Sequence, residues 1–346
     1  MDVVVASTSQ MTLDMQALKD VILPQFETAE SVKIATGYIT GDAVAYLENF
    51  VSQNGRPHID LLIGMHYAEG SFTESQYHAV KRLSDVLKAK GLGKVCLSAQ
   101  ICYHGKMYAF LNAAGKCFAA SVGSSNLGGA FLGSETTIEA DCVFDEPSKC
   151  ALVRQKIDEL FSKIGTEFHL VGKPVFKKTN HPLEHVLGVS KIPSSQVADV
   201  FAKKTTLSFD LEMKTEPKSN LNVFFATGRY SKATNTYRPR PWYEVEIIVS
   251  KSVTSQKGYP TPMHPFDVVT SDGWGFKCET GGSFNKNFRS HGDLRILGRW
   301  IKGAMESVGA LKTGDKITSS VLSSFGHKFV RLTKTSEPGL WTMEFV

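Results

Sequence analysis

Up to about residue 172, short apolar runs alternate with amphipathic stretches of helical period. Residues 32–36 form one run and lead into a turn at Gly37 and Gly41. Asp42 is placed to cap a helix to Gln53, with Val44, Leu47, Phe50 and Val51 on its apolar side and Asn54-Gly55 as its stop. Residues 58–65 are apolar enough for a buried strand. Thr73 and Gln76 have capping-box spacing, and Tyr77, Val80, Leu83 and Leu87 mark the buried side of the helix that Gly91 ends. Residues 95–101, 106–112, 116–122 and 137–144 read as strands, and Pro147 opens a helix to Lys163. The pattern predicts an α/β domain over residues 1–172, with helices covering a central sheet.

The periodicity then changes. Residues 173–204 are punctuated by Pro174, Pro182, Pro193 and paired lysines, which predicts a linker or docking segment. From residue 205 to 346 short strand-like runs recur between turn signals, at 207–213, 221–226, 242–250, 275–280, 293–297, 316–322, 329–335 and 342–346. Only 299–308 has a clear helical pattern. An all-β barrel or sandwich with one minor helix is expected there.

Length and composition agree with two soluble domains. The chain has 346 residues, 42% hydrophobic and 21% charged, which excludes disordered and collagen-like classes. The net charge of +5 conceals a division. Residues 1–200 carry 18 Lys+Arg against 21 Asp+Glu, a balance of −3, and residues 201–346 carry 21 against 13, a balance of +8. The basic half is expected to face a polyanion. The start, Met1-Asp2-Val3-Val4-Val5, lacks the basic and long apolar regions of a signal peptide, and no run is long enough to span a membrane. Six cysteines without a CxxC pair are expected as free thiols in a reducing cytoplasm, with no metal site.

The sharpest chemical feature is Cys102-Tyr103-His104-Gly105-Lys106-Met107-Tyr108. Alternate residues of a strand share a face, so His104 and Lys106 are expected to point together. Gly123-Ser124-Ser125-Asn126 ends the next strand, and a later strand carries Glu139. An imidazole, an ammonium and an amide suit attack on a phosphodiester without a metal. The first is a nucleophile, and the other two bind the non-bridging oxygens where charge develops. A carboxylate beside the imidazole fixes its tautomer.

This constellation resembles the phospholipase D superfamily, whose hallmark is an HxK pair followed by a Gly-Ser/Gly-x-x-Asn turn. His104, Lys106 and Asn126 match it position by position. The superfamily's usual Asp, five residues after the lysine, is Leu111 here. In the nuclease branch a later Glu takes its role; Glu139 fits best, with Glu135 in reserve. The superfamily mechanism needs two HxK units, and none of the other nine histidines has a lysine two residues later. The resemblance therefore implies a homodimer with one shared active site on its two-fold axis.

The basic half concentrates Arg, Lys and Asn among aromatics and hydroxyls in two segments, 227–240 and 281–291. That mix suits phosphate binding and base-edge reading. Together the two halves resemble the NgoFVII group of restriction endonucleases. The group has a phospholipase-D-like nuclease domain and a plant-B3-like pseudobarrel that grips DNA with an N-arm and a C-arm. By position, Arg229, Lys232, Asn235, Arg238 and Arg240 fall in the first arm, and Asn285, Lys286, Asn287, Arg289 and Ser290 in the second. The resemblance implies a metal-independent, cofactor-free type II restriction endonuclease acting on double-stranded DNA. It also implies a prokaryotic, cytoplasmic setting and a cognate DNA methyltransferase. The competing readings are a non-catalytic DNA-binding regulator, a phospholipase and a non-specific phosphodiesterase.

Overall fold

The computed structural model describes residues 2–6, 17–133, 137–178, 181–216 and 220–346. The chain divides into two units, Met1–Thr179 with Gly228–Pro239, and Asn180–Thr227 with Arg240–Val346.

The first unit is built on β1 (Asp2–Ala6), α1 (Leu18–Thr28), β2 (Ser31–Thr36), α2 (Gly41–Asn54), β3 (His58–Ile63), α3 (Glu74–Lys90), β4 (Gly93–Ser98), β5 (Lys106–Leu111), β6 (Cys117–Gly123), α4 (Leu127–Leu132), β7 (Glu139–Phe144), α5 (Pro147–Ile164) and β8 (Gly165–Glu167). The strands form one sheet in the order β1-β7-β6-β5-β2-β3-β4-β8. β2, β3 and β4 run parallel, and the other pairs are antiparallel. Side-chain alternation sorts the sheet into two cores. Ile34, Leu61, Tyr108 and Phe110 pack with Phe26, Phe50 and Phe131 from α1, α2 and α4. Ala35, Ala109, Ala120 and Cys117 face α5 through Cys150, Val153 and Ile157. Small residues on that face let the helix approach closely. The capping box at Thr73 and Gln76 is present, with both hydrogen bonds at 3.1 Å.

The segment expected as a linker is divided between the units: residues 173–178 stay with the first, where Phe176 packs on its core and the Lys177 N–H donates to the Phe72 carbonyl at 2.8 Å, and residues 181–204 fall in the second. β9 (Ser190–Lys191) pairs with Trp274–Gly275, and α6 (Ser194–Ala202) follows. After β10 (Lys204–Glu212) and a 3-10 turn at Asn220–Phe225, the hairpin of β11 (Arg229–Ser231) and β12 (Thr236–Arg238) departs to the first unit. The remaining elements are β13 (Ile247–Ile248), α7 (Lys251–Thr254), β14 (Phe266–Thr270), β15 (Trp274–Gly281), β16 (Asn287–Ser290), α8 (Arg295–Ser307), α9 (Ser319–Phe325), β17 (Phe329–Thr335) and β18 (Leu340–Phe345). Their sheet, ordered β10-β17-β18-β14-β15-β16-β13, forms a half-barrel of the B3-like pseudobarrel kind. α8 carries Ile296, Leu297, Trp300, Ile301 and Met305 into the core, with Trp300 stacked on Phe345 at 4.1 Å.

Several expected strands of this unit are not strands. Of 221–226 all but Ala226 lie in the 3-10 turn, 316–322 precedes and enters α9, 293–297 precedes and opens α8, and of 242–250 only Ile247–Ile248 is strand. Runs this short, with three to six apolar residues, do not separate strand from buried helix by period alone. Here capping decides. Asp293 accepts from the backbone N–H of Arg295 at 2.9 Å, and Thr318 accepts from that of Val321 at 3.4 Å.

Candidate active site and nucleic-acid interface

β5 begins at Lys106, so His104 lies in the approach loop rather than on the strand. The expected pairing nevertheless forms. Lys106 Nζ lies 3.2 Å from His104 Nε2 and donates to the His104 carbonyl oxygen at 2.5 Å. Lys106 is 4% exposed, whereas His104 is open to solvent. Burial lowers the lysine's pKa against the raising influence of Glu139 and Asp141. Gly37 lies beneath the imidazole, and a β-carbon there would come within 3.3 Å of His104 Cα and Cδ2.

The turn after β6 is fixed from below. In register, Lys106 pairs with Gly123, and Gly123 with Asp141. A β-carbon at Gly123 would lie 2.1 Å from Asp141 Oδ1, so glycine makes room for that carboxylate. Asp141 is 1% exposed and accepts from the Ser125 hydroxyl at 2.5 Å and its N–H at 3.3 Å. Burial raises its pKa, outweighing the two Ser125 bonds and Lys106. Ser124 donates to Glu139 and accepts from the N–H of Ala140 at 3.0 Å. Glu139 thus reaches the turn and the field of Lys106. Glu135 lies outside the described residues.

Asn126 stands at the start of α4, and its amide oxygen accepts from the backbone N–H of Tyr38 at 2.9 Å. The Tyr38 ring sits edge-on to His104 at 5.6 Å and to His66 at 5.2 Å. His66, 5% exposed and stacked on Phe72, accepts from the Ile39 N–H at 3.0 Å, and Gln76 donates to the Ile39 carbonyl at 3.0 Å. Burial lowers the His66 pKa, against the raising influence of its bonds to Ile39 and Ser71 and of Glu69, which favours the uncharged ring as an acceptor. The Tyr38 hydroxyl donates to Glu69 at 2.8 Å. Nothing in the sequence marks Tyr38, His66 or Asp141 as neighbours of the motif, and Gln76 is marked only as half of a capping box. Asp141 shares a strand face with Glu139, two residues before it.

The residues expected to meet DNA have different surroundings. Arg229 and Lys232 are exposed on the hairpin. Asn235, also exposed and left-handed at φ 52°, accepts from the Tyr230 hydroxyl at 2.7 Å. Within the first unit the hairpin lies on α1 and α2. Asn54 exchanges two hydrogen bonds with the backbone of Tyr237, at 2.8 and 3.0 Å. Arg238 forms a two-pronged pair with Glu27, whose side chain is fully buried, and Thr234 donates to the same carboxylate at 2.9 Å. Arg240 pairs with Glu244 at 2.9 Å. In the second unit Arg289 pairs with Glu279 at 2.9 Å and lies 3.8 Å from Glu246, which accepts from Asn287 at 2.8 Å. His291 also meets Glu279, at 2.9 Å. Lys286 flanks an exposed turn. Asn285 donates to the Pro260 carbonyl at 2.8 Å. Ser290 is fully buried, bonding the Asp293 carbonyl at 2.7 Å and the Leu297 N–H at 3.2 Å, so its hydroxyl serves the start of α8.

Among the described residues no group of three His, Cys, Asp or Glu side chains gathers as a metal site, and no helix is long and apolar enough to cross a membrane.

An α/β sheet presenting a His-x-Lys pair beside a Ser-Asn turn, followed by a B3-like half-barrel, defines a phospholipase-D-family endonuclease carrying its own DNA-binding domain. Residues 16–167 match the family model of the NgoFVII restriction endonuclease N-terminal PLD domain, and residues 199–336 that of the NgoFVII C-terminal B3-like DNA-binding domain. The chain belongs to the NgoFVII restriction endonuclease family. No curated protein matches the chain. Solved structures similar to it include Nuc of Salmonella typhimurium, a phospholipase D family member, at 13% identity over 48% of this chain and 95% of that one, TM-score 0.33. NucT from Helicobacter pylori is similar at 19% identity over 43% and 91%, TM-score 0.30. The archaeal chromatin protein TrmBL2 is similar at 13% over 46% and 52%, TM-score 0.27.

Proposed function

We propose that the chain is a type II restriction endonuclease that cleaves double-stranded DNA without a metal, through a phosphohistidine formed at an active site shared by two copies. The observation that carries the reading is the 3.2 Å approach of Lys106 Nζ to His104 Nε2 beside the Asn126 turn. His104 Nε2 attacks phosphorus, the P–N bond forms and the P–O bond to the leaving strand breaks. His104 of the partner subunit gives that oxygen its proton. The same imidazole then takes a proton from water, whose oxygen attacks phosphorus and breaks the P–N bond. Lys106 and the Asn126 amide hold the non-bridging oxygens, and Glu139 supports the imidazolium.

Sharing of the site is supported by the single HxK unit and by the side chains around it. Ile101, Val122 and Ile138 are 57%, 36% and 46% exposed, on the same segments as His104, Asn126 and Glu139. Large apolar groups in that setting suit an interface between copies. Arg229, Lys232, Asn235, Arg240, Lys286, Asn287 and Arg289 contact DNA in this reading. Arg238, Asn285 and Ser290 act by shaping the loops that present them. A DNA methyltransferase partner and a cytoplasmic setting follow from the restriction role.

The test is cleavage of a mixed-sequence DNA library in excess EDTA, followed by sequencing of the ends. Ends at a fixed distance from one short motif support the reading. A strict Mg²⁺ requirement, or ends without a motif, opposes it.

A further inference from the structure

In the turn between β15 and β16, Phe284 (φ 58°, ψ 26°) and Asn285 (φ 55°) are both left-handed. Glycine takes that conformation freely and asparagine tolerates it; phenylalanine does not. The turn is held there from several sides. The Asn285 N–H donates to the Gly282 carbonyl at 3.1 Å, the Thr254 hydroxyl to the Phe284 carbonyl at 2.9 Å, and the Val249 N–H to the Lys286 carbonyl at 2.8 Å. The strained backbone turns the Phe284 ring outward, where the residue is 66% exposed. Lys251 Nζ, from α7, lies 4.8 Å from the ring centroid and Lys286 Nζ 5.5 Å. Met263, also left-handed at φ 60° and 66% exposed, is tied to β15 by its N–H to the Thr280 carbonyl at 2.8 Å. Two exposed apolar side chains and two lysines are thus fixed in one turn region of the second unit. Strain maintained by several hydrogen bonds to display an aromatic ring marks a contact surface.

We propose that Phe284 makes an apolar contact with the bases of duplex DNA while Lys251 and Lys286 bind phosphates on either side. The proposal rests on the DNA-binding reading of the second unit and adds Phe284 and Lys251 to it. A ring supplies apolar contact to base edges such as the thymine methyl, and ammonium groups supply phosphate contacts that carry the salt dependence. The match of residues 199–336 to a DNA-binding domain favours DNA over an anionic membrane.

The experiment measures binding of the full-length chain to a duplex that the wild type selects from a random library. Failure to select any duplex defeats the DNA reading as a whole. With a selected duplex in hand, Phe284→Ala should bind at least tenfold more weakly with an unchanged slope of log K against log salt. Lys251→Gln and Lys286→Gln should each lower that slope by about one. Phe284→Asn should raise thermal stability by relieving the backbone yet still bind weakly. Wild-type affinity in both Phe284 variants, or an unchanged slope in both lysine variants, overturns the proposal. So does Phe284-dependent binding to phosphatidylglycerol vesicles with DNA binding intact.

Discussion

The backbone N–H of Tyr38 donates to the amide oxygen of Asn126 at 2.9 Å, joining the turn after β2 to the turn after β6. That bond engages the oxygen, and in the proposed mechanism the amide NH2 end holds a phosphate oxygen. Asn126→Asp keeps the acceptor for Tyr38 but replaces the donor with a negative charge. Single-turnover cleavage should fall by about 10²–10³, the usual cost of one transition-state donor. A near wild-type rate in Asn126→Asp removes Asn126 from the chemistry.

The pair of Arg238 with the buried Glu27 gives a stability prediction. Arg238→Ala leaves a buried carboxylate without its cation. A fully buried broken pair costs about 3–5 kcal/mol. The Arg238 side chain is 42% exposed and solvent screens it, so about 2 kcal/mol is expected. Amide hydrogen exchange of α1 reads the loss, and adding Glu27→Gln should recover part of it. Arg238→Ala with unaltered exchange would mean that the hairpin is not anchored by this pair.

Lys302 gives a pH prediction. It is fully buried, donates to the Trp242 carbonyl and lies 3.8 Å from the centre of that ring. Burial pushes its pKa down to about 7, opposed by Glu306. The unfolded chain holds this proton up to the ordinary lysine range, so between about pH 7 and that range the unfolded state binds more protons. The penalty of the buried charge is therefore full below about pH 7, and stability rises with pH above it. All four tryptophans lie in the second unit, so tryptophan fluorescence during urea unfolding follows that unit. The midpoint should rise from pH 7 to pH 9, and Lys302→Met should flatten the rise. An equal rise in the variant assigns the effect elsewhere.

The candidate motif was legible because its residues are close in sequence. His104 and Lys106 are two residues apart, and Asn126 follows within one hairpin. The α/β half was legible because its apolar runs are long and capped by recognisable residues, as at Thr73 and Gln76. The partners that hold the site were not. His66 reaches Ile39, and Tyr38 reaches Asn126 across 88 residues; no local pattern encodes such contacts. The basic loops were visible as composition, but charge alone does not reveal a partner. Arg238 and Arg289 already have carboxylates beside them, and the Ser290 hydroxyl is buried. The short runs of the second half misled because a few apolar residues fit strand and helix alike: 293–297 holds only Leu294, Ile296 and Leu297, and the Asp293 carboxylate accepts from the Arg295 N–H where α8 starts.

In the proposed mechanism His104 is the nucleophile. The most direct measurement of that role is mass spectrometry of the wild-type chain quenched during cleavage of its selected duplex with EDTA present, beside the same reaction with His104→Ala. A DNA phosphate joined to the peptide carrying His104 is expected in the wild type, and neither adduct nor cleavage in His104→Ala. Cleavage by His104→Ala at the wild-type rate, or an adduct on another residue, would contradict it.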